Sequence, residues 1–214
     1  MDAADFQRDL EASKDTELER LASSKLLVAL TDADLTAETV LRIVADGERA
    51  AAETFDAWTD DESHDDAQEL FAEFRDQERE HCERVLELLE GADGEAYDPD
   101  PAGGPMHERL RSLEETVPRL GGLVGRALVT ERTHLQVVSF FVNEGDERRA
   151  EQFRELRGET ATQGERATAL LETTCDGSED WDRAAAAAED VVDAAYDAYA
   201  GSLDDLGLDP KPIC

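Results

Sequence analysis

Two Glu-x-x-His pairs, Glu78 with His81 and Glu131 with His134, stand where helical spacing calls for apolar side chains. Ala67, Phe71, Phe74, Glu78, His81, Val85 and Leu88 alternate in steps of four and three, the inward stripe of a packed helix. Leu120, Val124, Ala127, Glu131, His134, Val138 and Phe141 repeat that rhythm, and Leu41, Val44, Glu48, Ala51, Phe55 and Trp58 carry a third inward acid, Glu48. A buried carboxylate or imidazole is costly without a partner, so these groups need one another or a cation. Glutamates joined by Glu-x-x-His on inward helix faces are one way to hold a di-iron or di-manganese centre.

The spacing around the turns supports convergence. Glu48 lies about as far before an acidic link, residues 59–64, as Glu78 lies after it, so an antiparallel hairpin brings both carboxylates to one level. Reflecting Glu131 across the break at Glu144-Gly-Asp lands near residues 157–161. The inner face there, Phe153, Leu156, Thr160, Gln163, Ala167 and Leu170, has no acid in its strict seam; Glu159 flanks it and is the candidate, with Thr160 and Gln163 as polar neighbours. The expected metal ligands are therefore Glu48, Glu78, His81, Glu131, His134 and Glu159. Carboxylates with imidazoles suit iron, as two ions, or manganese better than structural zinc, which favours thiolates. His64 and His107 sit in or beside loops and receive no role.

Composition sets the surroundings. Lys and Arg number 21 against 54 Asp and Glu, a formal charge of −33. So acidic a surface repels itself unless salt screens it, which points to a salt-rich cytoplasm, as in a halophile. Nucleic acid is excluded as a partner, because phosphate contacts need a basic patch. The sequence has no membrane-length apolar run, and Met-Asp-Ala-Ala-Asp lacks the marks of a signal peptide, so a soluble, cytoplasmic protein with no membrane partner is expected. Cys82, Cys175 and Cys214 lie far apart, which encodes neither a disulfide framework nor a rubredoxin-type knuckle. Cys82 reads as a small buried apolar residue.

Abundant Ala, Leu, Glu and Arg with few alternating β-branched runs predict an all-α chain. Residues 1–34 form an N-terminal segment with one or two helices over 4–30. Residues 35–174 form a four-helix bundle with helices over 36–58, 65–90, 119–143 and 147–174. The connection over 91–118, a Gly- and Pro-rich loop and then a short helix ended by Pro118, is long enough to return the chain along the bundle, the single crossover of ferritin-like folds. Residues 175–214 add a covering helix over 181–206 and a tail.

The stretches Val40-Leu-Arg-Ile-Val-Ala-Asp-Gly-Glu-Arg-Ala-Ala-Ala-Glu-Thr-Phe55 and Leu70-Phe-Ala-Glu-Phe-Arg-Asp-Gln-Glu-Arg-Glu-His-Cys-Glu-Arg-Val-Leu-Glu-Leu-Leu89 resemble the first two helices of the rubrerythrin branch of the ferritin-like superfamily. The resemblance implies a non-haem di-iron site that reacts with peroxide or dioxygen, commonly as a peroxidase in oxidative-stress defence. It implies Glu48 as first-helix ligand, Glu78 as bridging carboxylate, His81 as second-helix imidazole and Glu131 as third-helix carboxylate. The chain departs from that family in Glu159-Thr-Ala-Thr162, which has Thr where the fourth helix usually has His, and in lacking a rubredoxin-like tail. An external electron donor would then be needed, and ferritin-like bundles often pair as homodimers. The alternative is a non-catalytic bundle with a degenerate or single-metal site, acting as a structural, iron-buffering or regulatory protein.

Overall fold

The computed structural model describes residues 2–89 and 97–211, and among these every regular element is a helix. Residues 90–96, the start of the expected crossover, and Cys214 lie outside the described residues. The helices are α1 (Ala3–Ser13), α2 (Asp15–Leu21), α3 (Lys25–Leu30), α4 (Ala37–Asp61), α5 (Asp65–Leu89), α6 (Gly104–Arg111), α7 (Thr116–Asn143), α8 (Glu147–Thr174) and α9 (Ser178–Asp205). The N-terminal segment is thus broken into three short helices where one or two were expected. Thr36 caps α4 by accepting the Thr39 N–H, as its hydroxyl suits it to do. Pro118 sits in the first turn of α7, where its missing N–H costs nothing, and α6 ends earlier than expected.

Two anchors set the direction of the long helices. Glu62, in the turn between α4 and α5, accepts the backbone N–H groups of Ser63 and His64 and the Thr116 hydroxyl, and its other oxygen pairs with Arg119 at 3.2 Å. The α4–α5 turn therefore lies at the start of α7. At the opposite end Arg149, in the first turn of α8, donates to the carbonyl of Leu88 at 2.9 Å. So α5 and α7 run one way while α4 and α8 run the other, and the chain travels the length of the molecule between Leu89 and Thr116.

The last helix fits against α7 through small residues. A Cβ on Gly121 or Gly125 would run into the carbonyls of Ala184 or Ala188, so the close approach of α7 and α9 requires glycine. α1 covers the same side, with Phe6 against Trp181 at 5.5 Å between ring centres. The apolar core falls into two clusters. One holds Phe55, Trp58, Phe71 and Phe74; the other holds Val44, Val85, Phe141 and Phe153. Buried polar residues from α4, α5, α7 and α8 lie among them.

Candidate metal centre

Every seam position of α4 and α5 is buried, so the apolar residues of those stripes carry Glu48, Glu78 and His81 inward with them. Each of the three is at most 2% exposed. They offer ligand atoms that all lie within 4.8 Å of one another and could hold a metal ion. Nδ1 of His81 is 3.7 Å from Glu78 Oε2 and 3.9 Å from Glu48 Oε2. Nδ1 of His81 and Oε2 of Glu48 have no hydrogen-bond partner. Buried orphans of this kind carry a desolvation cost that a cation would offset, so the residues fit such an ion.

The other face of the His81 ring meets Glu159. Nε2 lies 2.8 Å from Glu159 Oε2, and that carboxylate is itself clamped by Arg84 at 2.9 Å. A metal-bound imidazole commonly gives its second N–H to a carboxylate that fixes tautomer and orientation. Glu159, 37% exposed at its side chain, lies on that side of the ring, behind His81 and not among the converging oxygens, in an ionic contact without hydrogen-bond alignment. His134 Nε2 meets Glu48 Oε1 at 3.0 Å, which brings the second imidazole to the edge of the cluster.

Glu131 is placed elsewhere. It lines a separate cavity with Glu11, Arg132 and Arg157, between α7, α8 and the N-terminal helices. The reason is rotational: at about 100° per residue, Arg126 and His134 lie about 80° apart around α7, whereas Glu131 lies about 60° beyond His134 on the far side. The face of α7 that meets Glu48 is thus the Arg126 face. Arg126, 1% exposed, sets its Nη2 3.0 Å from Glu78 Oε2 and 3.6 Å from Glu48 Oε2. It also donates to Gln163 Oε1 at 3.0 Å, and Gln163 Nε2 donates to Glu78 Oε1 at 2.7 Å. A closed network of α5, α7 and α8 side chains results.

Electrostatics follow from this packing. Burial, then the nearby Glu78 charge, pushes Glu48 well above the usual carboxylate range. Burial acts the same way on Glu78, but Arg126 and then the neighbouring Glu48 and His81 overcome it and hold Glu78 well below that range. His81 is buried, which disfavours its charge, yet Glu78, Glu48 and Glu159 raise it to about 9. His134 is pushed down to about 3 by burial and then by His81. Without a metal, an ionised Glu78 faces Arg126, and Glu48, which tends to keep its proton, faces a protonated His81.

Two residues of this neighbourhood escaped the sequence reading. Arg126 is the lone charge within Leu120-Gly-Gly-Leu-Val-Gly-Arg-Ala-Leu-Val129, and that isolation was a readable signal. His107, judged by its loop neighbours, is 2% exposed; burial and then Arg126 and Arg111 lower it to about 3. Cys82 is buried beside the cluster with its thiol directed at the Ala45 carbonyl, and burial raises it to about 11. No helix among the described residues is long and apolar enough to cross a membrane. No family model, curated protein or solved structure matches the chain.

Proposed function

We propose that this chain is a metal-binding protein of the ferritin-like kind, with α4, α5, α7 and α8 as its four-helix bundle and a single iron or manganese ion held by Glu48, Glu78 and His81. His134 stands at the edge of the set, and Glu159 sets its charge behind His81. The observation that carries the reading is Arg126, whose guanidinium lies 3.0 Å from Glu78 Oε2. A dinuclear centre needs carboxylate charge for a second dication, and here an obligate cation already neutralises the shared carboxylate while Glu131 lies in another cavity. One dication can replace the protons of His81 and Glu48 with little change in buried charge. A second adds two positive charges with no acid to meet them. The protein then acts as a metal-sequestering or regulatory bundle.

The rival reading is a di-iron oxidoreductase that reduces peroxide or dioxygen with electrons from an external donor. It is favoured by one feature, a cavity that reaches Glu48 and His134 and could admit a small oxidant. Elemental analysis separates the two. Protein purified at high salt without chelator and reconstituted anaerobically with ferrous iron should hold about one ion per chain, and Glu78→Ala should hold none. Two ions per chain with oxidation by peroxide would replace the single-ion reading with the oxidoreductase. No uptake by the wild-type chain would overturn both.

A further inference from the structure

Glu131, which the metal centre does not use, shares a cavity of about 290 Å³ with Glu11 of α1, Arg132 of α7 and Arg157 of α8. That volume is at the small end of the range for small-molecule sites. Glu11 is exposed, Glu131, Arg132 and Arg157 are half-buried, and Leu128 and Leu135 lie beside them, so the cavity opens at the surface and closes against an aliphatic wall.

Two positive and two negative groups meet in this space without pairing. Among the described residues, none of the four forms an ion pair with another acid or base. Elsewhere the same helices bind their arginines to acids: Arg154 holds Glu151 at 2.8 Å, and Glu159 takes Arg84 at 2.9 Å. Arg132 gives one N–H to the Leu128 carbonyl at 2.7 Å. Of the Arg157 nitrogens only Nε is enclosed without a partner, so its Nη groups, like the Glu131 oxygens, stay open to solvent. Burial pushes Glu131 up and Arg132 down from their ordinary values, and the opposite charges across the cavity offset this only in part. Half-desolvated charges that act on one another without touching are completed by a ligand that reaches both signs.

Charge then selects the ligand. The four groups sum to zero and the chain carries −33 overall, which opposes entry of a simple anion. A simple ammonium ion would be brought beside two guanidinium groups. A zwitterion escapes both penalties: its carboxylate suits the planar donor fork of arginine, and its ammonium suits a carboxylate.

We propose that this cavity binds a free α-amino acid with a small aliphatic side chain, its carboxylate between Arg132 and Arg157, its ammonium toward Glu131 and Glu11, and its side chain against Leu128 and Leu135. None of Glu48, Glu78 and His81 lines the cavity, so binding here does not depend on a metal ion.

The test is calorimetric titration of the full chain at molar KCl with leucine, with isocaproate, which is leucine without its amine, and with isoamylamine, which is leucine without its carboxylate. Saturable binding of leucine at one site is expected, with both analogues at least tenfold weaker. Glycine should also bind more weakly than leucine, because it leaves the aliphatic wall uncovered. Arg157→Leu should abolish leucine binding and leave metal content as in the wild type. Glu131→Gln should weaken leucine about tenfold without weakening isocaproate, so the preference between the two disappears. Thermal melts confirm folding of each variant; if Arg157→Leu does not fold, Arg157→Gln is read in its place. Absence of saturable heat with leucine, isocaproate binding as tightly as leucine, or unchanged leucine affinity in the Arg157 or Glu131 variant would overturn the proposal.

Discussion

At the scale of single residues, His81 and Arg126 decide what the centre can hold. His81 is raised from its ordinary 6.5 to about 9, so in the metal-free fold it carries a proton at neutral pH. That proton's contribution to stability is fully present below pH 6.5 and is lost as pH rises through about 9. A metal ion at Nδ1 must displace the same proton. Affinity for ferrous or manganous ion should therefore rise at least tenfold per pH unit below 9, more steeply where Glu48 also keeps its proton, and then level off. Competition titrations from pH 6 to 10 measure this, and a flat profile would remove His81 from the ligand set. Arg126 makes the complementary case. Breaking a buried ion pair from one side typically costs about 3–5 kcal/mol, since the other charge stays buried and alone. Arg126→Leu should lose that much in the metal-free state, and saturating manganese should raise its melting temperature more than that of the wild type. Equal gains would mean that Arg126 and the ion do not share Glu78.

At the scale of elements, the tight fit of α9 on α7 holds the Arg126 face toward Glu48. Gly121→Val would drive a branched side chain into the backbone at Ala184. Overpacking of this sort costs about 1–3 kcal/mol. The melting temperature should fall and hydrogen exchange in α9 should quicken, with metal content retained because Glu48, Glu78 and His81 belong to α4 and α5. An unchanged melt would show that α9 does not rest on this face. The same packing explains what the sequence disclosed. On α4 and α5 the three-four stripe identifies the inward face correctly, because each of these helices buries one main face. α7 is buried from Val117 to Val129 almost without interruption, between α8 on one side and α9 on another. A helix with two buried faces offers two stripes, and the one through Glu131 leads to the wrong cavity. Gln163 was visible as a polar residue in the α8 seam, whereas its partner Arg126 needed the tertiary arrangement. His107 was hidden because a short helix lying within a long connection gives no periodic warning that α6 turns its ring inward.

At the scale of the whole molecule, the charge of −33 leaves most acids without a basic partner, since 54 face only 21. The half-buried pair of Lys14 with Asp193 at 2.6 Å fastens the N-terminal helices to α9, but exposed pairs such as Arg8 with Asp5 are worth at most about 1 kcal/mol each. Net repulsion across the surface should therefore dominate at low ionic strength and fade as the screening length falls from about 10 Å at 0.1 M to about 3 Å at 1 M. The melting temperature should climb through that range. Each kcal/mol gained at this chain length appears as about 2–4 °C. Chloride is the salt to use, because strongly excluded anions such as sulfate strengthen apolar burial in any protein. The centre should behave differently, since Glu48, Glu78 and Arg126 lie out of reach of mobile ions. Wild type and Arg126→Leu should both gain from KCl while the gap between them stays constant. A gap that closes with salt would place the effect of Arg126 in the surface field, and the buried pair with Glu78 would no longer account for it.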